Sequence, residues 1–160
     1  MIDIISPQNP LAIAALYYIR LDTHNHSALF KNDVAENEDS ESKTVSATSF
    51  SQIAADELQA AAKRKGITIN QWAVAPNAVY ALVYIKENRL EQRYRVGKPR
   101  ALTSFVAGVK AATAKRINLV RNQPGCPVWK RSYKEQRIDD DVTLARLVKQ
   151  MKAIENEVYG

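Results

Sequence analysis

The sequence predicts an α+β domain in which an antiparallel sheet carries helices packed on it, and three observations predict it. The coarse order of elements is strand, loop, helix, strand, strand, loop, helix, short strand, helix. Strands that are not regularly separated by crossover helices argue for an antiparallel sheet and against a parallel α/β fold. Two strand-like runs, Ile67–Ala75 and Ala78–Lys86, are separated only by Pro76-Asn77, a spacing that favours an antiparallel pair. Finally, 160 residues, 46% hydrophobic and 25% charged, suit one domain over residues 1–160 with a real core.

The elements follow in order. Ala14–His24 is rich in apolar and β-prone residues and reads as a strand. Residues 31–48 are polar, acidic and Ser-rich, and read as a flexible loop. Ser49–Gly66 is the clearest helix. Ser49 or Ser51 is its N-cap, Ala and Leu fill its body, Lys63, Arg64 and Lys65 suit its negative end, and Gly66 stops it. The 67–75 and 78–86 strands come next, then a basic loop over 87–100. Ala101–Asn122 reads as a helix with Phe105, Val109, Ala112, Ile117 and Val120 facing inward. A Pro/Gly turn leads into a short extended segment, and a last helix runs from the acids at 139–141 to Tyr159.

Charge is the strongest functional signal. The net charge is +6, and it is clustered. Lys86–Arg137 holds 14 Lys or Arg against three Glu, whereas Asp33–Glu41 holds five acids and no base. A clustered basic surface points to a polyanionic partner. Cys126 is alone and cannot form an internal disulfide, which suits a reducing cytoplasm. No apolar run reaches the roughly 18 residues of a membrane span, and the first 20 residues lack the basic start of a secretion signal. A cytoplasmic protein without a membrane segment is expected.

Four stretches, "YYIRLDTHNHSALF", "WAVAPNAVYALVYI", "SFVAGVKAATAKRIN" and "PGCPVWKRSYKEQRI", together resemble the REP-associated tyrosine transposases, members of the HUH single-strand transposase class. The resemblance runs from about Leu16 to Asn156 and implies the ferredoxin-like core of that class. It also implies a chemistry. Two His at i and i+2 on a strand hold a divalent metal that polarises the scissile phosphate. A Tyr on the last helix attacks phosphorus and becomes covalently linked to it.

This chain departs from that pattern. Pro76-Asn77 is kept, but the two His positions hold Ala78 and Tyr80. Ala has no ligand atom, and a neutral phenol is a poor ligand for Mg or Mn. The resemblance places Gln150 at the nucleophile and Ile154 at a nearby Asn, and Gln cannot form the ester. The expectation is a transposase-like protein without catalytic residues, metal or other cofactor.

Other residues carry competing readings. His24 and His26 form an i, i+2 pair that reads as a solvated strand end rather than a metal site. Tyr133 lies among Lys130, Arg131 and Lys134, where a phenol could serve as a substitute nucleophile; an aromatic packed beside a basic patch is the preferred reading. Trp72 and Tyr84 read as core. Trp129 reads as an anchor, with base stacking as its alternative.

The resulting expectation is binding of single-stranded or hairpin DNA, or of RNA. The contacts would be Arg93, Arg95, Lys98, Arg100, Lys110, Lys115, Arg116, Arg121, Trp129, Lys130, Arg131, Tyr133 and Lys134. Two alternatives are a protein-interaction scaffold, using the acidic loop and last helix, and an active single-strand nuclease. The oligomeric state stays open.

Overall fold

In a computed structural model the protein is described over residues 5–6, 9–31, 49–88 and 98–159. The elements are β1 (Ile5–Ser6), β2 (Asn9–Asp22), a 3-10 turn (His24–His26), α1 (Phe50–Lys65), β3 (Thr68–Ala75), β4 (Ala78–Asn88), α2 (Arg100–Val120), β5 (Lys134–Ile138) and α3 (Asp141–Tyr159). The described strands form one antiparallel sheet in the order β1-β2-β4-β3, with β5 also on β2. β4 takes one edge of β2, and β1 and β5 share the other: β1 pairs near Asn9–Ile13 and β5 along Leu16–Arg20. The α+β architecture is therefore as the sequence predicts. Most of the acidic loop, residues 32–48, lies outside the described residues, as do Arg93 and Arg95.

Strand alternation sorts the core into two layers. Tyr17, Ile19 and Leu21 of β2 join Val79, Ala81, Val83 and Ile85 of β4 on the face covered by α1 and α2, where Ile53, Leu58, Phe105 and Val109 meet them. Leu16 and Tyr18 join Tyr80, Leu82 and Tyr84 on the opposite face, under Leu144, Leu147, Val148 and Met151 of α3.

Local chemistry sets the helix ends. Ser49 Oγ accepts from the Gln52 N–H at 3.1 Å, and Gly66 closes α1 in the left-handed region at φ 67°. Ser49→Ala should lower the unfolding free energy by about 1 kcal/mol, read as a shift of the urea midpoint at constant slope; no shift would mean that the cap is not formed in solution. At α3 the Asp140 carboxylate accepts from the Thr143 N–H at 2.9 Å and from its hydroxyl at 2.7 Å. These bonds hold the Asp140 carboxyl below its ordinary range.

Three details differ from the sequence reading. β2 begins at Asn9 rather than Ala14, because its first residues pair with the short strand β1. His24–His26 forms a 3-10 turn with Asn25 and His26 at positive φ. Val120, expected inward, is 60% exposed, whereas Phe105, Val109 and Ile117 are buried as expected. α2 ends at Val120, and in its last turn Ile117 and Asn118 stay buried while Leu119 and Val120 reach solvent. No helix among the described residues is long and apolar enough to cross a membrane.

Candidate nucleic-acid interface

The sheet register assembles a site that no single segment shows. Pairing of β2 with β4 sets Asp22 opposite Ala78 and Arg20 opposite Tyr80. Pairing with β5 sets Lys134 opposite Arg20 on the other side. Directly opposed residues point to the same face, so Lys134, Arg20 and Tyr80 form a row across three strands. This is the face that carries α3 further along.

Side chains fill the centre of this row. Ala78 is fully buried. The Tyr80 ring stacks with Tyr18 at 6.2 Å between centroids, and the Arg20 guanidinium carbon lies 5.5 Å from the Tyr80 centroid. Arg20 Nε donates to Asp22 Oδ1 at 2.8 Å, with the Asp22 side chain only 5% exposed. Burial, then the neighbouring Tyr80, pushes the Tyr18 phenol up.

The divalent metal implied by the family resemblance does not fit these residues. Ala78 and Tyr80 offer no adequate ligand, and Arg20 already engages the carboxylate across from them. Among the described residues no group of three or more His, Cys, Asp or Glu is placed to hold a metal ion. His24 and His26 are exposed in their turn. On α3, Gln150 is exposed and Ile154 packs half-buried against the second core layer.

The predicted basic residues separate into two kinds. Some are engaged by bonds to the fold itself, although Lys98 among them is exposed. Lys98 donates to the Tyr133 carbonyl and sits 3.8 Å from the centroid of that ring. Lys110 donates to the carbonyls of Lys130 at 2.8 Å, Ser132 at 3.0 Å and Arg131 at 3.4 Å. Burial and the nearby Lys98 lower the Lys110 pKa. Arg116 ties α2 to α1 through Glu57 at 3.0 Å and Asp56 at 3.8 Å. Arg121 bonds Asn118 Oδ1 at 2.8 Å and reaches the Pro127 carbonyl at 3.3 Å.

The others face outward. Lys130, Arg131 and Lys134 are exposed, as are Arg100 and Lys115. The first three stand on the segment whose carbonyls Lys110 gathers. That segment is tied to the end of β2 by the Lys130 N–H to the Asp22 carbonyl at 2.9 Å. Lys98 and Lys110 thus buttress an outward-facing basic loop next to Arg20. Lys115, Arg116 and Arg121 belong to another neighbourhood, along α2 towards α1 and the 118–127 turn.

The aromatic candidates are enclosed. Tyr133 is 8% exposed, with its hydroxyl 3.2 Å from Thr103 Oγ1. Trp129 packs half-buried on Phe30 at 5.5 Å, and its backbone bridges Thr23. Trp72 packs half-buried against the first core layer, and Tyr84 against the second. Arg20 and Asp22 are the residues that sequence reasoning missed. Their signal was present in "YYIRLD", where Tyr18, Arg20 and Asp22 alternate onto one face.

No protein-family profile matches the chain, and no curated relative does. Solved structures do. A protein from Deinococcus radiodurans assigned as a transposase aligns over 89% of this chain and 92% of its own, with TM-score 0.50 and 16% identity. A REP-associated tyrosine transposase bound to a REP hairpin aligns over 86% of this chain and 64% of its own, with TM-score 0.54 and 11% identity. At such identities the likeness is one of fold, and the fold is that of the tyrosine transposases.

Proposed function

We propose that this chain, built on the tyrosine-transposase fold, holds single-stranded or hairpin DNA, or structured RNA, without cutting it. The observation that carries this reading is the exposed set Lys130, Arg131 and Lys134 on a segment whose Lys134 pairs across from Arg20, at the end of the sheet where the resemblance puts the cutting site. Cations presented on a buttressed loop bind backbone phosphates and release their counterions. The neighbour solved with a REP hairpin supports the ligand class. Absence of cleavage is supported by the side chains themselves: Ala78 and Tyr80 in place of metal ligands, and Gln150 in place of a nucleophilic phenol.

Fluorescence anisotropy with a tailed DNA hairpin tests it. About four phosphate contacts predict roughly a hundredfold loss of affinity between about 50 and 200 mM salt. Affinity that barely changes over that range defeats the electrostatic account. A covalent protein–DNA adduct formed in Mn defeats the claim of no cleavage. A stoichiometric protein partner that survives nuclease treatment, with no nucleic acid bound by the pure protein, would favour the scaffold alternative instead.

A further inference from the structure

We infer that Arg20 takes over the task of the missing metal ion: its guanidinium is a fixed phosphate-binding group at the position where a cation would otherwise sit. The inference rests on the nucleic-acid reading above and names the contact at its centre.

Four observations converge on Arg20. Its register partner on β4 is Tyr80, and the next same-face pair is Asp22 with Ala78, so the Arg20–Asp22 pair lies directly across from the two vacated ligand positions. The guanidinium is held on two sides, by Asp22 through Nε at 2.8 Å and by the Tyr80 ring. Its terminal nitrogens carry no such restraint among the described residues, and the side chain is 33% exposed. Finally, Lys134 is its neighbour on β5, and Lys130 is tied by its backbone to Asp22.

A guanidinium held at Nε and set over an aromatic ring keeps its outer N–H groups as a planar fork. That fork matches two oxygens of a phosphodiester, and little side-chain freedom remains to be lost on binding. Asp22 leaves its own charge buried against Arg20, so it orients the group without facing the ligand. Such a site binds phosphate but, lacking a Lewis acid and a nucleophile, leaves the ester intact. The shared chemistry is a backbone phosphodiester, and parallel DNA and RNA hairpins distinguish the two sources.

The test compares wild type with the double variant R20M/D22N, which removes the buried carboxylate together with its partner, and with R20K. Lys149→Met, on the exposed side of α3, is the control. Anisotropy is read across salt, in EDTA and in Mn. The expected result is about a tenfold loss for R20M/D22N with the salt slope reduced by about one, a smaller loss for R20K, and wild-type affinity equal in EDTA and Mn. The wild-type Arg20 Nε–Hε NMR signal should also shift on adding hairpin, and this needs no variant that might misfold. An unmoved signal, a folded R20M/D22N that binds like wild type, or binding abolished by EDTA overturns the role of Arg20 while leaving nucleic-acid binding in place. Wild type that binds neither hairpin overturns both.

Discussion

Phe105→Ala is expected to lower the unfolding free energy by about 3–5 kcal/mol. Phe105 is fully buried in the layer between α2 and the sheet, among Leu102, Val106 and Val109 of its own helix and the inward residues of β2 and β4. Truncation removes the transfer free energy of the ring and leaves a cavity. The cavity is costly because its walls cannot close: one is a continuous helix, and the other is β2 and β4, paired along Ala12–Asp22. Typical domains have only about 5–15 kcal/mol of stability in total, so the midpoint in urea should fall far at an unchanged slope. Val120→Ala is the internal control. At 60% exposure it should change stability by no more than about 0.5 kcal/mol. Equal effects at the two positions would mean that the inward stripe of α2 is misassigned.

Those two residues also show where sequence reading succeeds and where it stops. Phe105 and Val120 look alike as apolar residues on a helical period, and only the tertiary fold decides that burial stops at Ile117 and Asn118 and leaves Val120 in solvent. The β3–β4 hairpin was legible because Pro76-Asn77 leaves no room for another connection. α1 was legible because Ser49 and Gly66 mark its ends by local backbone chemistry. The start of β2 was not, because its partner β1 is two residues long and carries no pattern of its own.

The basic site is a harder case. Counting charges finds a cationic segment but cannot say which cations are engaged. Lys110 and Arg116 look as available in sequence as Lys130 and Arg131. In the fold, however, Lys110 gathers three carbonyls and Arg116 bridges two acids of α1. Arg20 lies outside the cationic segment altogether. It joins the site only because β2 is the central strand, paired with β4 on one side and β5 on the other. Strand pairing is a non-local choice, and a single sequence does not print it.

Reversing three outward charges, in the triple variant K130E/R131E/K134E, should produce the largest functional effect. The net charge falls from +6 to zero, since each swap removes two units. Removing one phosphate-binding cation should weaken binding about five- to eightfold near 0.1 M salt, so removing three should weaken it by roughly two to three orders of magnitude, with the salt slope flattened accordingly. The fold should persist, because these side chains are exposed, and Lys110 holds the backbone of the loop rather than its side chains. A carboxylate at position 134 would also lie cross-strand from Arg20 and compete for its guanidinium. Lys110→Met separates placement from charge. It removes one cation that does not face outward but releases three carbonyls, so its weaker binding should come with a lower melting temperature and a nearly unchanged salt slope. If the triple variant instead binds as wild type does, the phosphates lie elsewhere, along Lys115 and the rest of α2, and the loop that Lys98 and Lys110 support serves the fold alone.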